Sequence, residues 1–99
     1  MENPEDTAGI QKIRASIDET DYRIMKLLQE RNRLIEEIVP FKKDKASVIA
    51  RKRQTEVLDQ RRKWAQELNL DPELIDKIFR IIIKNNIQKE LKMIQGGNI

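Results

Sequence analysis

An arginine stands in the middle of an apolar helical stripe in the segment LLQERNRLI. If residues 27–35 are helical, the side chain of Arg31 lies beside the positions three and four residues away in each direction. All four of those positions carry leucine or isoleucine. Because a buried, unpaired charge costs several kcal/mol, Arg31 needs a carboxylate, an outlet to water or a bound anion. The planar guanidinium fork matches a carboxylate, so we predict that Arg31 binds one.

Further polar side chains occupy apolar helical faces, namely Arg14, Lys42, Arg53, Asn86 and Glu90. Any one of them could reach water through a long stem at the rim of a core. Together they direct more cations than carboxylates inward, which predicts a pocket for an anionic small molecule. Arg61 also has apolar neighbours, but stacking on Trp64 or pairing across an interface would account for it without a ligand.

The chemistry open to such a pocket is narrow, because the chain has no histidine and no cysteine. The commonest general base, the commonest metal ligand and thiol nucleophiles are therefore missing, and we expect no metal and no cofactor. Binding alone remains, or a reaction that needs only shape and electrostatics. A pericyclic rearrangement fits, since no proton need move. Lys42 and a protonated Glu90 could then stabilise charge developing on a substrate oxygen.

The composition is that of one helical domain. Of the 99 residues, 38% are hydrophobic, 37% charged and 4% aromatic, which is typical of helices with a narrow apolar stripe. The 20 basic and 17 acidic residues are interspersed, so the formal charge of +3 does not indicate nucleic-acid binding. No apolar run approaches the roughly 18 residues of a membrane span, and no signal-peptide pattern is present. We expect a cytoplasmic protein with one domain over residues 1–99.

The spacing of apolar residues predicts an all-α fold of three helices, one long and two shorter. The first should run from about residue 8 to the low forties, with a kink or stop near Pro40. KKDKAS is expected to be a mobile loop, followed by a second helix at about 49–68. Asp71 and Pro72 then predict the start of a third helix that reaches about residue 94. Residues 1–7 and 95–99 are expected to be frayed tails.

A first helix of about 35 residues would be roughly 50 Å long and could not cover its own apolar stripe. We therefore predict an intertwined homodimer, with two long helices packed along each other. Arg14 and Arg31 lie about 25 Å apart on one straight helix, too far to hold one small molecule. In an antiparallel pair, Arg14 of one chain could approach Arg31 of the other, giving two equivalent sites.

Four segments resemble the all-helical (class II) chorismate mutases and their relatives, the isochorismate pyruvate lyases. IRASIDETDYRIMKLLQERNRLI is similar to the first helix of the family, FKK to the segment with its lysine, ARKRQ to the segment with its second-helix arginine, and LDPELIDKIFRIII to the start of its third helix. PEDTAGIQKIR and RRKWAQELNLD are more similar to the lyase branch. The resemblance covers nearly the whole chain and also implies an intertwined dimer of three-helix chains.

The resemblance implies a role for each candidate residue. Arg31 and the partner's Arg14 would bind the two carboxylates of the substrate, with Arg53 in the same anionic pocket. Lys42 would face the ether oxygen whose bond breaks. Glu90 stands where bacterial members usually have glutamine, so it would have to be protonated, and activity should fall as pH rises.

The remaining departures from the family bear on the choice of substrate. Gln54 replaces a glutamate that holds the ring hydroxyl, and because glutamine can still bind a hydroxyl it favours chorismate. Two residues look more like those of a lyase: Ala50, at a position that is acidic in many mutases, and Ile87. Ile87 and Asn86 complete the predicted set of substrate-binding residues. Pro40 could shift Lys42 and lower activity or make it depend on loop closure.

The function predicted from these residues is that of a chorismate mutase, which forms prephenate in the shikimate pathway towards the aromatic amino acids. The first alternative is an isochorismate pyruvate lyase that forms salicylate and pyruvate. A mutase of a related substrate, such as aminodeoxychorismate, is a further alternative. A non-catalytic helical dimerisation module would explain the long amphipathic helix without any substrate.

Overall fold

The chain folds into helices throughout the part that the structure describes. This structure, a computed structural model, describes residues 7–97 and the side chains of residues 7–95. Its elements are helix α1 (Ala8–Ile38), a 3-10 turn (Val39–Phe41), the short helix α2 (Lys45–Ile49), helix α3 (Arg51–Glu67) and helix α4 (Pro72–Gly97). Helices α1, α3 and α4 confirm the prediction of one long and two shorter helices. No helix among the described residues is long and apolar enough to cross a membrane.

Helix α1 is bounded by a hydroxyl cap and a proline. The Oγ1 atom of Thr7 accepts a hydrogen bond from the N–H of Ile10 at 3.3 Å, so Thr7 satisfies one of the free amides of the first turn. At the other end the helix stops at Ile38 and tightens into the 3-10 turn that contains Pro40. Proline lacks the N–H that an α-helix needs, which confirms the predicted stop.

Only the first half of the segment KKDKAS forms the expected loop, and the second half begins a short helix. Asp44 is the N-cap of α2, and its Oδ1 atom accepts hydrogen bonds from the backbone N–H and from the hydroxyl of Ser47, each at 2.8 Å. The backbone hydrogen bond first, and the hydroxyl second, hold the pKa of Asp44 below its ordinary value of 3.8. The expected loop is therefore shortened to residues 42–44, because Asp44 is a favoured N-cap residue and residues 45–47 belong to α2.

The ends of α3 and α4 agree closely with the sequence pattern. The helix predicted at about 49–68 is α3, which begins after Ala50, a residue in the left-handed region with φ 41° and ψ 60°. The Oδ1 atom of Asp71 accepts a hydrogen bond from the N–H of Glu73 at 3.0 Å, and Pro72 is the first residue of α4, as predicted. Helix α4 continues through Gly97, past the predicted end near residue 94, while residues 1–6, 98 and 99 of the expected tails lie outside the described part.

The described residues group into two units, the first ending at Leu34 and the second beginning at Ile35. The first unit is a single helix, so its apolar stripe has no other helix of that unit to pack on. Ile13 and Leu27 in this stripe are 63% and 64% exposed. An isolated amphipathic helix of this kind requires a partner surface.

In the second unit α4 packs against α3, α2 and the 3-10 turn. The apolar side chains buried there are few and small: Val39, Val48, Val57 and Ala65. Three polar side chains are buried with them: Asp76, Asn86 and Glu90. A core with so many buried polar groups must satisfy them internally or with a ligand.

Stacking and ion pairs join α3 to α4. The guanidinium of Arg61 lies 4.6 Å from the ring centre of Trp64 and 5.7 Å from that of Phe79, which confirms stacking on Trp64 as an account of that arginine. Asp76 on α4 lies between two arginines, with Oδ1 3.5 Å from Nη1 of Arg62 and Oδ2 2.6 Å from Nε of Arg80.

Candidate active site

An ion pair between a partly buried lysine and a buried glutamate joins the chain after the 3-10 turn to helix α4. Lys42 follows the turn with extended backbone angles, and its N–H donates to the carbonyl of Val39 at 2.9 Å. From this anchored position its Nζ atom lies 3.1 Å from Oε1 of Glu90. The side chains are 20% and 4% exposed, respectively. Lys42 and Glu90, the two residues predicted to stabilise negative charge developing on a substrate oxygen, are therefore neighbours.

The carboxyl of Glu90 retains hydrogen-bonding capacity in this pair. Nζ of Lys42 is close enough to Oε1 for an ion pair, while Oε1 accepts no hydrogen bond from the described residues. Buried carboxyl oxygens are ordinarily hydrogen-bonded. This oxygen is thus positioned to engage a polar group brought in by a ligand.

Asn86 extends the buried polar face of α4. It lies one helical turn before Glu90 and is 4% exposed, so the two side chains share a face of the helix. An amide and a carboxyl on adjacent turns offer both donors and acceptors to a small polar molecule. Sequence reasoning selected both residues, and the structure buries both.

A groove runs between α3 and α4, and we call it the α3–α4 groove. It consists of two adjoining cavities of about 380 and 440 Å³, and Gln54, Leu58 and Arg80 line both. The first cavity is also lined by Arg51, Thr55, Asp59, Arg62 and Asp76. The second is also lined by Ile83, Lys84, Ile87 and Gln88. The structure therefore brings together two predicted substrate-binding residues, Gln54 and Ile87.

Gln54 has a hydrogen bond that its sequence position did not reveal. Its Nε2 atom donates to the carbonyl oxygen of Ile49, the last residue of α2, at 2.6 Å. Because only the amide nitrogen can donate to a carbonyl, the orientation of the side-chain amide is fixed. Its Oε1 atom is left as the acceptor.

Some cations of the groove were missed by sequence reasoning. Arg80 and Lys84 are one turn apart on α4 and line the groove with Ile87, a spacing that could have been read as one helical face. On α3 the groove is lined by Arg51, whereas Arg53 is exposed and does not line it. Residues two positions apart point to different sides of a helix, which explains why one arginine faces the groove and the other does not.

Arg14 and Arg31 both lie on α1 in the first unit. Arg14 is exposed and Arg31 is partly buried, and both have interactions within the chain. A continuous helix keeps them about 25 Å apart, so they cannot both hold one small dicarboxylate within a single copy of the chain.

The comparisons with known proteins agree with the sequence resemblance. A family model described as chorismate mutase type II matches residues 13–91. The chain is 33% identical over 92 residues to an isochorismate pyruvate lyase from Pseudomonas aeruginosa, covering 93% of this chain and 91% of that protein. It is 37% identical over 82 residues to a chorismate mutase from Methanocaldococcus jannaschii, covering 80% of this chain and 83% of that protein.

Proposed function

Since the chain belongs to the type II chorismate mutase family, we propose that it converts chorismate to prephenate by an intramolecular rearrangement. In this reaction an ether C–O bond breaks while a C–C bond forms within the same molecule. Neither a nucleophile nor a cofactor is needed. A site without histidine or cysteine can accelerate such a step by holding the reactive conformation and stabilising charge on the ether oxygen.

The observation that carries this proposal is the buried pairing of Lys42 with Glu90. The ammonium of Lys42, whose side chain is 20% exposed, stands beside a carboxyl oxygen that accepts no hydrogen bond from the described residues. A preorganised cation stabilises a developing negative charge more effectively in such a shielded place than in water. We assign Lys42 to the ether oxygen and Glu90, in its protonated form, to the same oxygen as a second donor.

We assign substrate recognition to a larger set of groups. Gln54, Asn86 and Ile87 contact the ring, while Arg53 adds to the positive potential around the site. Arg31 binds one substrate carboxylate, and Arg14 of a second copy of the chain binds the other. The assignment of the two carboxylates to arginines of different chains is supported by the distance between Arg14 and Arg31 along α1.

A homodimer with shared sites follows from the same proposal. It is supported by the 31-residue length of α1 and by the exposure of its apolar stripe, including Leu27 at 64%. Two copies packed along this stripe would remove a large apolar area from water. We expect the enzyme to act in the cytoplasm, within the shikimate pathway.

Lyase activity on isochorismate is the second candidate function. It is supported by the relative with that name, whose match spans 93% of this chain, and by Ala50, whose side chain offers no polar group to the substrate. Both reactions break the same kind of ether bond, so the roles of Lys42 and Arg31 would be unchanged.

One assay distinguishes these functions. The purified protein is mixed separately with chorismate and isochorismate, and chorismate loss is followed by absorbance and salicylate formation by fluorescence. Dominant loss of chorismate to prephenate supports the mutase, and dominant salicylate supports the lyase. No turnover of either substrate would exclude both and favour a non-catalytic dimerisation module.

Mixing inactive variants tests the shared site directly. Arg14→Ala and Arg31→Ala are each expected to be inactive alone. After refolding together, half of the dimers should be mixed, and each mixed dimer contains one site with both arginines and one with neither. About a quarter of the sites should therefore be intact. Recovery of no activity would show that both arginines must come from the same chain.

A further inference from the structure

The short segment that carries Lys42 ends at a strained residue between two helices, Ala50, which we call the Ala50 joint. Helices α2 and α3 are separated by Ala50 alone, which has φ 41° and ψ 60°. The left-handed region is costly for a residue with a Cβ atom and persists only where the surroundings hold it. Ala50 itself makes two helical hydrogen bonds, donating to Ala46 at 2.9 Å and accepting from the N–H of Gln54 at 3.0 Å.

The side chain of Gln54 supplies a further contact across this joint. In an uninterrupted helix the carbonyl of Ile49 would accept the N–H four residues later, but the left-handed turn disturbs that register. Instead Nε2 of Gln54 donates to this carbonyl at 2.6 Å. A side chain from the first turn of α3 thus caps the last residue of α2.

The segment from Lys42 to Ala50 is therefore held at both ends. At one end Lys42 is paired with Glu90 on α4 at 3.1 Å. At the other end the carbonyl of Ile49 is bound by Gln54 on α3. Between them Val48 is only 2% exposed, which seats the segment against the rest of the second unit.

We infer that Gln54 is a positioning residue, which holds the Ala50 joint and thereby the placement of Lys42 against Glu90. The same side chain lines the α3–α4 groove, and its fixed amide leaves Oε1 as an acceptor for a ligand hydroxyl. A hydroxyl bound there would steady Gln54 and, through it, the segment that carries the catalytic ammonium. The catalytic consequence rests on the proposed function, whereas the structural role of the joint does not.

Two substitutions of nearly equal size separate this role from simple substrate contact. Gln54→Met removes both the donor and the acceptor. Gln54→Glu keeps an acceptor for a substrate hydroxyl, but an ionised carboxylate cannot donate to the Ile49 carbonyl. If Gln54 holds the joint, both variants should fail at pH 7. If Gln54 only accepts a substrate hydroxyl, Gln54→Glu should remain active.

The first readout needs no substrate. Amide hydrogen exchange is measured for Val48 and Ala50 in the unliganded protein, with Gln66→Met on the exposed part of α3 as the matched control. Loss of the Gln54 hydrogen bond should speed their exchange about tenfold in both Gln54 variants and leave the control unchanged. Unaltered exchange would overturn the structural role whether or not the protein is an enzyme.

The second readout is turnover. Both Gln54 variants should lose kcat, and Ala50→Gly, which adopts the left-handed conformation without strain, should restore part of it when combined with Gln54→Met. Faster exchange with unchanged kcat would show that the joint does not position Lys42. Loss of activity without faster exchange would show that Gln54 contacts the substrate but does not hold the Ala50 joint.

Discussion

The ammonium of Lys42 lies 3.1 Å from Oε1 of Glu90, and the glutamate side chain is only 4% exposed. Lys42 is placed by the 3-10 turn and Glu90 by α4, so the pair forms only when these elements pack together. Oε1 of Glu90 accepts no hydrogen bond from the described residues. A substrate oxygen entering between the two groups would meet a cation on one side and, once Glu90 is protonated, a donor on the other.

Replacing Lys42 by alanine should reduce kcat on the order of 100-fold, because one preorganised donor to the breaking ether bond is lost. The helical content should remain unchanged by circular dichroism. Lys43→Ala, at the exposed neighbouring position, serves as the control and should keep normal turnover. Full activity of the Lys42 variant would refute its catalytic role.

Replacing Glu90 by glutamine should preserve kcat/KM, because the glutamine amide can donate a hydrogen bond to the ether oxygen without a bound proton. Glu90→Ala removes the hydrogen-bonding group and should lower kcat/KM on the order of 100-fold. Steady-state kinetics of the two variants at one pH give the comparison. Full activity of Glu90→Ala would show that Glu90 makes no catalytic contact with the ether oxygen.

Replacing Leu27 by lysine should weaken self-association, because Leu27 lies in the apolar stripe of α1 and is 64% exposed in the isolated chain. A charge in this stripe would have to be desolvated in a dimer interface. Sedimentation velocity should show a shift from dimer to monomer. Gln29→Lys introduces the same residue at an exposed position on the opposite face of α1 and should leave the dimer unchanged.

Asp76 should contribute more to stability than Glu73, although both pair with Arg62. The side chain of Asp76 is 10% exposed, while that of Glu73 is 67% exposed. Asp76→Ala removes a buried acceptor and should cost about 1–3 kcal/mol of unfolding free energy. Glu73→Ala should cost less than about 1 kcal/mol, as is usual for exposed ion pairs. Urea unfolding of the two variants gives the comparison.

Helix α2 should weaken in acid through its Asp44 cap. The hydrogen bonds from Ser47 lower the pKa of Asp44 in the folded state, so its stabilisation is complete above the unfolded-state pKa. That stabilisation is lost as pH falls through the lower, folded-state pKa. Exchange protection factors for Ser47 and Val48 should follow this decline. Asp44→Ala should show low protection at every pH, and a persistent acid transition in that variant would assign it to another group.

Much of the helical architecture could be predicted from local chemistry. The stop before Pro40 and the capped start at Asp71 depend on neighbours in the chain, and both occur as the sequence indicates. The spacing of apolar residues likewise identified α1, α3 and α4. Helix α2 was missed because five residues are too few to show helical periodicity.

The sequence by itself also determined which residue types could do chemistry: polar groups on apolar faces, with no histidine and no cysteine. Only the tertiary structure decided which of them meet. It paired Lys42 with Glu90 and turned Arg51, rather than Arg53, towards the α3–α4 groove. It also gave Gln54 the carbonyl of Ile49 as a partner. Helical periodicity fixes which face a side chain occupies, but contacts between elements depend on the turns that join them and on how those elements pack.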